Sequence, residues 1–255
     1  MLNRLRAEHF DALARAVARG VITLHSPELE LDRYVASDLA PTALQLLNEL
    51  RRRGCSPEAA STCLSMLGSQ ARDHEAARPR LVWSQFDTFS MLDTAQACRD
   101  LFATARESVL LSTYNATESK DGNPILRPLS ERMEAMPSLR VLLILGAPHG
   151  DSVPVAASIA RIEDVLWERI WPWRLRPDVY IGPARPEDSR VHLHAKCVVV
   201  DDSRALVTSA NLSWSAQERN VEAGVLVSDA ELAYGLRLQF ERLISRGVVK
   251  RAGLR

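Results

Sequence analysis

The chain has 255 residues, 46% of them hydrophobic, with 32 basic residues set against 32 acidic ones. That is enough apolar material for a sizeable core in one or two domains. Balanced charge excludes a globally basic nucleic-acid protein, so any phosphate-binding patch must be local.

Residues 1–78 read as all-helical. Leu2, Leu5, Phe10, Leu13 and Val17 mark one apolar face. Ser26-Pro27-Glu28 and Ser56-Pro57-Glu58 are helix starts, with a capping serine and a proline in the first turn. Between them a helix over 41–53 carries Leu44, Leu47 and Leu50 and stops at Gly54. The pattern predicts a small helical domain used for packing or docking. A helix-turn-helix DNA reader is the lesser reading, because it rests on Leu-rich helices alone. Arg51-Arg52-Arg53 reads as a solvated helix end favoured by the helix dipole. The charged stretch 71–79 is a linker.

From Leu81 strands and helices alternate, which predicts a second domain over 79–255 of α/β class. Leu81-Val82-Trp83 is a short strand, and a helix is expected over 87–104. Ser108 to Tyr114 is a buried strand with Tyr114 and Asn115 at its end, a position where α/β sheets often place ligands. A helix over 125–136, an apolar strand over 139–145, a loop with His149 and a helix over 155–170 follow. Trp171 to Pro177 then interleaves aromatic and basic side chains. Trp173 and Arg174 are candidate base-stacking and phosphate contacts; a hydrophobic cap or a dimer contact is the weightier reading. A strand over 178–181, a Pro-rich loop over 182–190, a helix over 229–245 and a frayed basic tail over 250–255 complete the expectation.

The densest chemistry lies between 191 and 228. His192, His194 and Lys196 alternate with Val191, Leu193 and Ala195. On a strand they would form a polar row at about 6.7 Å spacing. Cys197 to Val200 is a buried run, Asp201 to Arg204 a turn, and Ala205 to Thr208 a second strand ending in Ser209-Ala210-Asn211. A third strand over 221–227 carries Glu222 near its start. A neutral imidazole is a good nucleophile for phosphorus near neutral pH. An ammonium, an amide and a hydroxyl can hold phosphate oxygens, and a carboxylate can orient the imidazole. None of these roles needs a metal or a cofactor.

His194-x-Lys196-x4-Asp201, followed by Thr208-Ser209-x-Asn211 and Asn220-x-Glu222-x-Gly224, resembles the signature of the phospholipase D superfamily. The resemblance covers roughly residues 81 to 250. It implies a phospholipase-D-like mixed sheet flanked by helices, with His194, Lys196, Asp201, Ser209, Asn211 and Glu222 in the motif. Within it His194 is the nucleophile, and Lys196 and Asn211 hold the non-bridging oxygens. Glu222 orients an imidazole, while Asp201 fixes the turn. Tyr114, Asn115, His192, Trp173 and Arg174 are the candidate substrate contacts. One departure is visible: Thr208 stands where that family usually has glycine, and its bulk is expected to narrow the pocket floor.

The superfamily works with two such motifs, and H-x-K occurs once here. A homodimer with two-fold symmetry would supply the second imidazole. The expected activity is that of a metal-independent phosphodiesterase, foremost a DNA nuclease. A scaffold that kept the fold and a lipid phosphodiesterase are the competing readings. A lipid enzyme predicts an apolar channel to the site, and a nuclease an open cleft lined with arginine. The single late motif behind a helical region also resembles the phospholipase-D-like component of the bacterial DISARM anti-phage system. That implies helicase and methyltransferase partners.

Two further expectations concern the setting. Cys55, Cys63, Cys98 and Cys197 lack C-x-x-C spacing, which favours buried thiols over disulfides or a zinc site. Residues 1–20 are charged throughout, unlike a signal peptide, and no run approaches the length of a membrane span. A reducing, cytoplasmic location without membrane attachment is expected.

Overall fold

A computed structural model describes residues 4–84, 92–148, 153–184, 192–213, 216 and 219–253. The chain divides into two compact units, Met1–Arg78 and Pro79–Arg255.

The first unit is helical: α1 (Ala7–Ala18), α2 (Glu28–Leu31), α3 (Ala40–Arg52) and α4 (Pro57–Ala77). Its core gathers Leu13, Val17, Leu31, Leu47 and Leu64, the apolar stripes of these helices. The Ser56 hydroxyl accepts a hydrogen bond from the Ala59 N–H at 3.2 Å, capping α4. Gly68 lets α4 approach α1 closely, since a Cβ there would lie 2.6 Å from Asp11 Oδ1. An ion pair between Arg72 and Asp11 closes the same contact. Arg52 and Arg53 both pair with Glu49, at 2.6 and 2.7 Å.

The second unit is built on a nine-stranded sheet in the order β2-β1-β8-β7-β6-β3-β4-β5-β9. The strands are β1 (Arg80–Ser84), β2 (Leu92–Asp93), β3 (Ser108–Thr113), β4 (Arg140–Gly146), β5 (Asp178–Gly182), β6 (Cys197–Val200), β7 (Arg204–Thr208), β8 (Glu222–Val227) and β9 (Lys250–Arg251). β3, β4 and β5 run parallel, while β6, β7 and β8 are joined antiparallel onto β3. The helices are α5 (Thr94–Thr104), α6 (Arg127–Ala135), α7 (Val155–Val165) and α8 (Ala230–Ser245). The expected mixed sheet flanked by helices is what the chain forms.

Both faces of the central strands are covered, which explains their continuous apolar runs. Val109, Leu111, Leu143, Val198 and Val200 face a core shared with Cys98, Leu101, Phe102, Leu129 and Ile159. Their alternating neighbours Leu110, Ile144, Cys197 and Val199 face Ala233 and Phe240 of α8. All four cysteines are free thiols. Burial pushes those of Cys98 and Cys197 up to about 12. Among the described residues no helix is long and apolar enough to cross a membrane.

Several elements differ from their sequence reading. The charged stretch read as a linker over 71–79 is, as far as Ala77, the end of α4. The helix expected over 87–104 begins at Thr94, because Asp93 pairs in β2 and caps the helix through the Gln96 N–H at 2.9 Å. The helix expected over 155–170 is α-helical only to Val165. Leu166–Ile170 winds as a wider π-turn, and the Trp171 N–H reaches the Leu166 carbonyl at 2.6 Å. The extra residue per turn swings Trp171 into the core, where it is 1% exposed. Residues 250–253 of the basic tail are not frayed: Lys250 and Arg251 add strand β9 to β5, with Val249 and Ala252 buried on either side.

Phe240 is the largest side chain that α8 buries against the sheet. Phe240→Ala should cost about 3–5 kcal/mol of stability, read from the urea midpoint of the isolated second unit's signal or of the full chain.

Candidate active site

The site forms where the end of β3, the lead-in to β6, the end of β7 and the start of β8 converge. Register places it there. Ser112 pairs with Cys197, Cys197 with Val207, and Thr208 with Gly224. Residues 192–196 are not a hydrogen-bonded strand, as the alternation suggested; β6 starts only at Cys197. Two bonds still tie the segment to its neighbours. The Ser112 hydroxyl donates to the Ala195 carbonyl at 3.1 Å, and the Thr208 N–H donates to the Lys196 carbonyl at 3.1 Å.

His194 is exposed and Lys196 is 7% exposed. The Lys196 Nζ lies 2.8 Å from His194 Nδ1 and 3.0 Å from Nε2. A bond along either nitrogen's in-plane direction would put the other nitrogen out of reach, so the ammonium sits over the ring. The in-plane direction of an imidazole nitrogen is then open for attack on phosphorus. Burial lowers the Lys196 pKa from the usual lysine value, and the Glu222 charge opposes that shift.

Asn211 is anchored by its side-chain oxygen, which accepts the Asn115 N–H at 3.2 Å. Beneath it Thr113, fully buried, donates to the Asn115 carbonyl at 2.8 Å and accepts from the Leu212 N–H at 3.0 Å. Asn123 is equally buried and donates to the Leu212 carbonyl at 2.8 Å. Thr113 and Asn123 were not singled out from the sequence. Their short polar side chains in an apolar strand and a turn gave only a weak signal, that of buried groups needing partners. Tyr114 is brought to the site: its ring centroid lies 4.8 Å from that of His194 and 6.4 Å from that of His192.

Within one copy of the chain, Glu222 is held by side chains other than an imidazole. One carboxylate oxygen accepts from the Ser209 hydroxyl, and the other from the Asn220 amide at 3.0 Å. Ser209 in turn accepts the Ala223 N–H at 3.1 Å. The carboxylate therefore braces β7 against β8 and sets the field at Lys196. Asp201 is not in the cluster either. It lies at the far end of β6, in the β6–β7 turn, with φ of 51°. Its carboxylate accepts the N–H groups of Arg106, Glu107 and Ser108 at 2.9, 2.8 and 2.9 Å. Burial would raise its pKa, but these three bonds hold it below the usual aspartate value.

Trp173 and Arg174 are not part of the site. Trp173 packs edge-on against buried Trp171 at 5.1 Å and closes over Gly122. The following residues Leu175, Arg176 and Pro177 line a cleft of about 540 Å³ at the starts of β3, β4 and β5, the opposite sheet end. Arg174 is exposed, with no described contact to the site. His149 lies outside the described residues.

Thr208 does not narrow the floor as its bulk suggested. Its φ is not left-handed, so glycine's freedom is not required. Its side chain lies over Gly224, where an added Cβ would meet Thr208 Cβ at 2.8 Å. Its hydroxyl donates to the Ala223 carbonyl at 3.2 Å and accepts the Ala210 N–H at 3.1 Å. A cavity of about 630 Å³ opens beside the histidines, lined by His192, Leu193, His194, Leu236, Phe240 and Leu243, with Arg242 and Arg246 also on its wall. Among the described residues no group of three His, Cys, Asp or Glu is placed to hold a metal ion.

A mixed sheet whose converging strand ends carry imidazole, ammonium and amide is the phospholipase-D-like architecture. The chain belongs to the family described as cardiolipin synthase, PLD-like domain, which matches residues 99–244. No curated protein matches the chain. Among solved structures, NucT from Helicobacter pylori aligns with 17% identity and a TM-score of 0.48, over 69% of this chain and 99% of its own. Nuc, a phospholipase D family member from Salmonella typhimurium, aligns with 12% identity and a TM-score of 0.47, over 68% and 97%. Phosphatidylserine synthase from Haemophilus influenzae aligns with 16% identity and a TM-score of 0.45, over 84% and 54%.

Two predictions follow from these contacts. Because the Asp201 pKa is lowered on folding, its contribution is present above the unfolded value of about 3.9 and lost as pH falls through the folded one. Asp201→Asn should cost about 2 kcal/mol at pH 7 and flatten the acid limb of a Tm-against-pH curve below about pH 4. Gly224→Ala should cost about 1–3 kcal/mol through overpacking, and Thr208→Gly in the same chain should restore most of the loss in a double-mutant cycle.

Proposed function

We propose that the chain is a metal-independent phosphodiesterase that cleaves DNA through a phosphohistidine on His194. The observation that carries this reading is the 2.8 Å contact of Lys196 with the His194 ring beside the anchored Asn211. In the proposed cycle a His194 nitrogen bonds to phosphorus as the bond to the leaving oxygen breaks. Lys196 and the Asn211 amide hold the non-bridging oxygens as their charge develops. The leaving oxygen takes a proton from a second imidazole, which next removes a proton from water. That water oxygen bonds to phosphorus and releases His194. The second imidazole is His194 of a second copy, since H-x-K occurs once in these 255 residues. A two-fold contact would place two identical strand ends face to face. A role in restricting foreign DNA, beside helicase and methyltransferase partners, extends the proposal; its support is the motif arrangement alone.

The cavity beside His194 favours one second reading. Leu193, Leu236, Phe240 and Leu243 give it an apolar wall, and Arg242 and Arg246 supply cations. That combination suits an amphiphilic phosphodiester such as a phospholipid.

The deciding experiment compares wild type with His194→Ala on single- and double-stranded DNA and on phospholipid vesicles, all in excess EDTA. DNA cleavage that survives EDTA and falls at least about a thousandfold in the variant supports the first reading. Headgroup release from vesicles without DNA cleavage transfers the reading to a lipid substrate. Activity equal in both proteins, or abolished by EDTA, overturns both.

A further inference from the structure

We propose that Tyr114 is a positioning residue for His194, and that Gly146 is the seat that lets it work; the kinetic part of this inference rests on the phosphodiesterase reading above. The Tyr114 ring stands 4.8 Å from the His194 ring at an interplanar angle of 52°. Lys196 closes the other approach, with its Nζ 5.9 Å from the Tyr114 centroid and within 3.0 Å of both imidazole nitrogens. The imidazole is thus bounded by an aromatic wall and an ammonium. A solvent-exposed histidine just ahead of the paired part of β6 would otherwise sample several χ1 and χ2 wells.

Tyr114 can be that wall because of its place in the chain. It follows directly on β3, whose last residue, Thr113, is fully buried and bonded to Asn115 and Leu212. The ring therefore leaves a rigid strand end rather than a free loop. Gly146 ends the neighbouring parallel strand. A Cβ built on it would lie 2.8 Å from Tyr114 Cδ2, 2.9 Å from Tyr114 Cα and 2.8 Å from the Leu193 carbonyl oxygen. Only a residue without a side chain allows the Tyr114 backbone, its ring and the 192–194 segment to meet there. Gly146 does not owe its identity to backbone angle, since its φ is not among the left-handed ones. Its two closest neighbours are the two parts that the proposal couples, the wall and the histidine segment.

The consequence is a division of labour. The ring fixes the plane of the imidazole, and the in-line approach to phosphorus depends on that plane. A displacement of about 1 Å can cost about a hundredfold in rate. The tyrosine's hydroxyl has no part in this, so phenylalanine should serve and an aliphatic residue should not. A tyrosine that instead touched substrate would show itself in KM.

The test uses the full chain with 13C,15N-labelled histidine, and bis(p-nitrophenyl) phosphate as substrate. The His194 ring signal is assigned by its loss in His194→Gln. Tyr114→Leu should shift that signal and lower kcat about a hundredfold with KM unchanged, and Tyr114→Phe should leave both near wild type. Gly146→Ala, which displaces the ring without removing it, should shift the His194 signal in a folded protein even if Tyr114→Leu fails to fold. A His194 signal unmoved in both folded variants, or a change in KM alone, overturns the proposal. If wild type hydrolyses nothing, the phosphodiesterase reading fails by itself, while the histidine spectra still decide whether Tyr114 positions the ring.

Discussion

The grip of Asp201 on three consecutive backbone N–H groups at 106–108 is the constraint on which the catalytic end of the sheet depends. It pins the β6–β7 turn to the start of β3, and so sets the register of two antiparallel strands against a parallel one. Side chains alternate across a sheet, so a slip of one residue would send Val199 to the face of Val198. The lead-in to β6 that bears His194 and the segment after β7 that bears Asn211 would no longer meet. A carboxylate about 17 Å along the chain from Lys196 thus belongs to the geometry of the site without touching it. Its two left-handed residues, Asp201 and Asp202, are of a type that tolerates that conformation.

At the other end, the polar groups around the site are bonded to each other. Glu222 takes Ser209 and Asn220, Asn211 takes Asn115, and Thr113 takes Asn115 and Leu212. These bonds make a frame that costs no reorganisation when charge develops on a phosphate. Lys196 is the exception. Its ammonium is mostly removed from water and faces an imidazole, a weaker partner than a carboxylate or phosphate. An incoming anion therefore finds a cation that is poorly solvated and already placed.

The fold was legible where one physical signal dominated. Period-two apolar runs with both faces buried, as in β3, β4 and β6, stand out without any tertiary knowledge. So does the capped helix start at Ser56. The residues of the H-x-K, S-x-N and N-x-E segments do gather at one sheet end, apart from Asp201. What remained hidden depended on partners far away in sequence. The identity of the Glu222 partner and the pairing of Lys250 with Ile181 depend on contacts across 13 and 69 residues. Trp173 leaves two readings open in the sequence, a hydrophobic cap and a nucleic-acid contact, because an aromatic beside arginines looks the same whether it stacks on a base or on another tryptophan. Only the closure over Gly122 separates the two.

Thr208 and Gly224 share one steric slot between two strands. The slot holds a single side chain, and either strand could supply it. A chain with glycine at 208 would have room for a side chain at 224, and the two arrangements would fill the same volume with the same backbone. The two positions are thus one packing unit, and the side chain carried by either strand sets what the other can hold.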